Sequence, residues 1–222
     1  MSDLRPRRYR LLVFDWDGTL ADSTAIIAGA IQSACRDVGE PVPDDIAARF
    51  VIGLGLADAL SHVAPGLARE RHAELSTRYR HHYLARDAEI PLFEGVTALL
   101  ADLREAGYKL AVATGKSRVG LDRALAACAV AGHFNATRCA DEGRPKPHPD
   151  MLLHLMESIG VSRLETLMIG DTTHDLELAR AAGVDAVAVA YGAHEPAGLA
   201  AAAPLATVHS IDELRAWLER NG

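Results

Sequence analysis

The sequence predicts an α/β fold: a doubly wound parallel sheet interrupted by an all-helical insertion. Three observations carry this. Short apolar runs recur along the chain, amphipathic stretches ending near glycine separate most of them, and residues 22–88 hold helical periodicity without a convincing strand. Leu11 to Phe14 is apolar throughout rather than alternating, as expected for a strand covered on both faces. Residues 109–114, 135–139, 166–170 and 185–190 are the next candidate strands. Between them, Val96, Leu99, Leu100 and Leu103 repeat at helical spacing before Gly107. Leu121, Leu125 and Cys128 do so after Ser117, and Leu152, Leu155 and Met156 before Gly160. Residues 198–205 read as an alanine-rich loop or helix. In the interrupting segment, Ile26, Ile27, Ala30, Ile31 and Ala34 form one apolar face, Pro41 and Pro43 break it, and shorter helices follow to about residue 85. The expected division is a core of residues 1–21 and 89–222 and a helical insert of 22–88, whose two ends must lie close together.

Composition narrows the function. The chain has 222 residues, 49% hydrophobic and 24% charged, enough for one large domain or a domain with an insertion. A net charge of −7 disfavours a nucleic-acid partner, which needs a basic face. Arg5, Arg7, Arg8 and Arg10 precede the first apolar run as in a secretory leader, but Asp15 ends that run after four residues. No stretch is long enough to span a membrane. The three cysteines, Cys35, Cys128 and Cys139, are widely spaced without a C-x-x-C, favouring small buried thiols in a reducing cytoplasm.

The chemistry gathers after the strands. Asp15 and Asp17 follow the first; side chains two apart on an extended chain share a face, and Gly18 permits a sharp turn behind them. A lone D-x-D is compatible with turn formation and capping. However, Thr114 ends the second strand, Lys146 lies in the loop GRPKPHP, and Asp171 and Asp175 follow the fourth. These are the positions where a doubly wound sheet makes side chains converge. Four carboxylates in one space need neutralising, and Mg²⁺ with hard oxygen ligands suits them, typically sharing a substrate phosphate. Thr114 offers a hydroxyl, Gly115 a closely approachable N–H and Lys146 a cation, together a set for binding a phosphoryl group.

Asp15-Trp16-Asp17-Gly18-Thr19, Thr114, Lys146 and Gly170-Asp171-Thr172-Thr173-His174-Asp175, in that order, resemble the four motifs of the haloacid dehalogenase superfamily, in the branch with a helical cap after the first motif. The resemblance implies a HAD-like Rossmannoid core and a phosphohydrolase. It implies that Asp15 is the nucleophile that forms an aspartyl-phosphate and that Asp17 protonates the leaving group and then activates water. It further implies that Asp15, the backbone carbonyl of Asp17 and Asp171 ligate Mg²⁺, with Asp175 positioning the metal's waters. Thr114 and the Gly115 amide would hold phosphate oxygens, and Lys146 would bridge nucleophile and phosphate. Gly115 departs from the Asn common at that position in the family.

Other readings are weaker. Gly115-Lys116-Ser117 looks like the tail of a phosphate-binding P-loop, but the glycine required five positions earlier is Leu110. His174 reads as a surface or outer histidine, since an oxygen site suffices, and His81-His82 as part of a solvated face. The only lysines are Lys109, Lys116 and Lys146, none in residues 22–88, which disfavours the family's phosphonatases with their cap lysine. Asp17 disfavours its dehalogenases, which lack that carboxylate. Residues 49–55 (RFVIGLG) resemble the corresponding region of phosphoglycolate phosphatases; Arg49 would meet an anionic tail there, or be a solvated residue of a turn. The leading expectation is hydrolysis of a small phosphorylated metabolite, phosphoglycolate phosphatase-like. A sugar-phosphate phosphatase, a pyrophosphatase and a phosphomutase are the alternatives, with a non-catalytic phospho-acceptor or binding protein remote. The sequence leaves the oligomeric state open.

Overall fold

The computed structural model describes residues 8–222; Arg5 and Arg7 of the basic stretch lie outside them. The chain runs β1 (Leu11–Phe14), α1 (Thr24–Asp37), α2 (Asp45–Phe50), α3 (Leu56–Val63), α4 (His72–Leu84), α5 (Val96–Glu105), β2 (Lys109–Thr114), α6 (Arg118–Cys128), β3 (Ala136–Cys139), α7 (Asp150–Ile159), β4 (Thr166–Gly170), α8 (Thr173–Ala182), β5 (Asp185–Val189), α9 (Pro196–Ala201), β6 (Ala206–Val208) and α10 (Ile211–Asn221). The six strands are all parallel, in the order β3-β2-β1-β4-β5-β6. This is the doubly wound α/β sheet expected. The order reverses at β1, the switch point beside which ligands bind in such sheets.

Strand alternation builds two cores. Leu12, Phe14, Leu110, Val112, Leu167 and Ile169 face α5, α6 and α10, packing with Leu99, Leu121 and Leu214. Leu11, Val13, Ala111, Ala113 and Met168 face α7 and α8, packing with Leu152, Leu155 and Leu178. Every side chain of β1 is buried, as its unbroken apolar run requires. Short β6 differs from expectation: residues 198–205 supply most of α9 and the following turn, and Ala206–Val208 adds an edge strand. Three residues are too few to display the period-two pattern that marks a strand.

Helices α1 to α4 form their own cluster, in which Ile27, Ile31, Ala34, Val51, Leu60 and Leu75 are buried together. Single bridges pair Asp17 with Ala21 and Ala21 with Leu92, bringing the two ends of the helical segment side by side. Among the described residues no helix is long and apolar enough to cross a membrane.

Candidate active site

The site is assembled at the carboxyl ends of β1, β2 and β4, under the helical segment. β1 delivers Asp15, and Trp16 is buried in the sheet core, so the chain turns at once. Gly18 makes that turn with φ +80, and a Cβ there would run into the Asp171 carboxylate, so only glycine fits. β4 ends at Gly170, and Thr172 caps α8: its hydroxyl accepts from the Asp175 N–H, while Asp175 Oδ2 accepts from Thr172 N and Oγ1 at 3.1 and 2.7 Å. Capping thereby fixes the Asp175 side chain.

Asp15, Asp171 and Asp175, all buried, present oxygens within 4.8 Å of one another. Lys146 Nζ enters from the loop before α7, 2.8 Å from Asp15 Oδ1 and 2.6 Å from Asp175 Oδ1. Asp171 Oδ1 accepts from Thr19 Oγ1 and its Oδ2 from the Ala193 N–H, both at 2.7 Å. Asp15 Oδ1 also accepts from the Trp16 N–H at 2.6 Å, whereas its buried Oδ2 has no hydrogen-bond partner among the described residues.

The electrostatics follow from this crowding. Burial pushes the Asp15 carboxyl well above the usual range; Lys146 opposes this, and Asp175 and Asp171 add to it. Burial, then Asp175, raises Asp171 to about 7, against the hydrogen bonds from Thr19 and Ala193 and the pull of Lys146. For Lys146 burial alone would favour loss of the proton, but Asp15 and Asp175 outweigh it and hold the ammonium above the ordinary lysine value. Ionised together, the three carboxylates would outnumber the one ammonium, so ionisation of the set calls for a further positive charge. An all-oxygen donor set with one orphaned carboxylate oxygen fits a hard divalent cation such as Mg²⁺.

Asp17 is placed differently from Asp15. Its Oδ1 accepts from Ser23 Oγ at 2.7 Å and pairs with Lys116 Nζ at 3.0 Å, and its carboxylate stands outside the three-aspartate group. Thr114 is fully buried at the end of β2, and its Oγ1 accepts from the Lys116 N–H. Gly115 lies under the helical segment: a Cβ there would come within 2.5 Å of the Leu54 carbonyl oxygen and 2.6 Å of that of Gly53. The absence of a side chain at 115 is what admits this loop. Arg49 Nη1 donates to Thr24 Oγ1 at 2.8 Å, at the start of α1.

Several residues come together here that the sequence reading left aside. Lys116, in the rejected P-loop match, has its side chain only 10% exposed, and its ammonium binds both Asp17 and Tyr83 Oη, the latter at 2.7 Å. His174 is buried, not at the surface: its Nε2 and that of His194 lie 2.7 and 2.9 Å from the Phe50 carbonyl. Because His194 Nδ1 accepts from the Thr173 N–H, its Nε2 is the donor. The Phe50 ring packs against His174 and His194, so α2 is docked on the core. Position after Thr114 was the one available sign for Lys116. Nothing local marks His194 or Tyr83.

A cleft of about 720 Å³ opens between the helical segment and the core, with Asp17, Gly115 and Lys116 on its floor. Arg49 is not among its lining residues.

Residues 12–189 match the family model of haloacid dehalogenase-like hydrolases. The chain belongs to this family. Probable phosphatase IndB of Dickeya dadantii is 36% identical over 92% of this chain and 91% of its own. Tyrosine-protein kinase PtkA of Mycobacterium tuberculosis is 34% identical over 93% and 71%, and a phosphoglycolate phosphatase of Cupriavidus necator 32% over 93% and 92%. A hydrolase structure from Pseudomonas syringae has the same fold, with a TM-score of 0.87 at 24% identity over 95% of this chain and 98% of that one. The chain is a phosphatase of this hydrolase family, similar to phosphoglycolate phosphatases.

Proposed function

We propose that the protein is a Mg²⁺-dependent phosphatase that hydrolyses a small phosphorylated metabolite through an aspartyl-phosphate on Asp15, the reaction class of its phosphoglycolate phosphatase relatives. The observation that carries this reading is the environment of Asp15: a buried carboxylate with one oxygen on Lys146 and the other without a partner. Asp15, the backbone carbonyl of Asp17 and Asp171 would hold the metal, with Asp175 close enough to order its remaining shell. Bound there, Mg²⁺ supplies charge that offsets repulsion between carboxylate and phosphate.

The chain's own groups carry out the transfer. Asp15 attacks phosphorus, forming the Asp15–phosphorus bond as the bond from phosphorus to the leaving oxygen breaks. Asp17 gives that oxygen its proton. Asp17 then takes a proton from water as the water oxygen attacks phosphorus, releasing inorganic phosphate and regenerating the Asp15 carboxylate. Thr114 and Gly115 orient the phosphoryl oxygens, and Lys146 screens the nucleophile. Residues 22–88 act as a cap that excludes bulk water from the core of residues 1–21 and 89–222. Three free thiols, Cys35, Cys128 and Cys139, support a cytoplasmic setting.

Asp15→Asn tests the nucleophile. It should lower kcat by more than about a hundredfold, ~2.7 kcal/mol in barrier height, with the circular-dichroism spectrum unchanged. A variant retaining more activity than that would falsify the assignment. In ¹⁸O water, hydrolysis places one solvent oxygen in the released phosphate, whereas a phosphomutase returns the phosphoryl group to the organic product.

A further inference from the structure

If phosphate sits on Asp15, its leaving oxygen faces Asp17, and Asp17 lies on the floor of the cleft between the helical segment and the core. The leaving group must therefore occupy this cleft. Its walls are chiefly hydrocarbon, and the part open to a ligand is Leu54 and Leu56 around the start of α3, Leu84 at the end of α4 and Val119 of α6, over the buried Ile27 and Ile31 of α1. Two of the three lining cations are already committed, Lys116 to Asp17 and Arg123 to Asp87 at 2.6 Å. The third, Arg80, is exposed. A two-carbon acid such as glycolate would fill little of 720 Å³ and would present its carboxylate to these side chains. Pockets of that size and character take bodies of drug-like dimensions, held mainly by apolar contact.

We infer that the preferred substrate of this site is a phosphate monoester whose alcohol carries a bulky apolar body, seated against Leu54, Leu56, Leu84 and Val119. The inference rests on the phosphatase reading and names the class of leaving group that this chain selects. The phosphoryl end is held by the core, while affinity for the body comes from water-exposed hydrocarbon being covered on both sides.

The test is a series of ethyl, butyl and hexyl phosphate compared with 2-phosphoglycolate, with acetyl phosphate as an activated donor that has no bulky body. Burial of each added methylene should raise kcat/KM about fourfold, the ratio equivalent to ~0.8 kcal/mol at ~1.36 kcal/mol per tenfold. Hexyl phosphate should then exceed 2-phosphoglycolate. Val119 is 72% exposed, so Val119→Asp leaves folding intact while placing a charge on the wall; it should cut the hexyl-to-ethyl ratio at least tenfold. Leu56→Asp, on the opposite wall, should do the same. A flat series, a ratio untouched by both variants, or a preference for 2-phosphoglycolate overturns the inference and leaves the phosphatase reading standing. No turnover of any compound, acetyl phosphate included, overturns both.

Discussion

The Lys116 ammonium lies 3.0 Å from the Asp17 carboxylate and 2.7 Å from the Tyr83 hydroxyl, tying the proposed acid and base on the core to α4 of the helical segment. One side chain thus bridges the two halves of the site. Its burial makes the pair more than a surface contact: the lysine side chain is 10% exposed and that of Asp17 9%. Asp17 can hold its orientation toward the cleft because Ser23 and Lys116 both bind the same oxygen.

Lys116→Met keeps an unbranched side chain one atom shorter and removes the charge. It should lower kcat ten- to a hundredfold, the ~1.5–3 kcal/mol carried by a charge-assisted bond. Tyr83→Phe, which removes only the contact on the helical segment, should cost less. Steady-state kinetics of both variants checks this, and unchanged kcat in Lys116→Met would remove the lysine from the site.

Activity should disappear with EDTA and return with Mg²⁺, while Ca²⁺ should inhibit because it favours longer bonds and more ligands. Mg²⁺ at about a hundred times its dissociation constant should stabilise the fold by ~2.7 kcal/mol, visible as a rise in Tm. Asp171→Asn should lose most of that rise. Equal Tm with and without Mg²⁺ would show that the three carboxylates hold no metal.

The metal-free protein should lose stability as pH rises from about 4 to about 7. The Asp171 carboxyl moves from 3.8 to about 7 on folding, so between these values the folded state binds more protons than the unfolded one. Its contribution is fully present below the lower value and is lost through the upper. Thermal melts in EDTA across this range should show a downward slope that is shallower in Asp171→Asn. A slope of equal size in both proteins would contradict the assignment.

Arg49 is hydrogen-bonded to Thr24, so Arg49→Ala should act on the packing of α2 against α1. A loss of ~0.5–1.5 kcal/mol in stability is expected. KM should change by the same factor for 2-phosphoglycolate and for p-nitrophenyl phosphate. A tenfold rise confined to 2-phosphoglycolate would instead make Arg49 the reader of the acidic tail.

Five of the six strands, and the placement of the chemistry around them, follow from the pattern of the chain. The unbroken apolar run of β1 can only be satisfied by cover on both faces, and residues directly after strands such as β1 and β4 have nowhere to point but the switch-point edge. Asp15 and Asp171 were therefore legible from position, and Lys146 and Asp175 from the motifs they stand in. What the tertiary structure decided is everything that depends on the helical segment closing over that edge. Lys116 follows a recognisable motif, but its partner Tyr83 lies 33 residues away. His194 reaches Phe50 across 144 residues, and Arg49 turns to Thr24 instead of the cleft. Periodicity reports which face of a helix is buried, but not which residue of another element it meets, because that depends on the packing of side chains distant in sequence. Asp15 and Asp17, two residues apart, are bound to different lysines, and the division of labour proposed for them depends on both lysines being brought in by the fold.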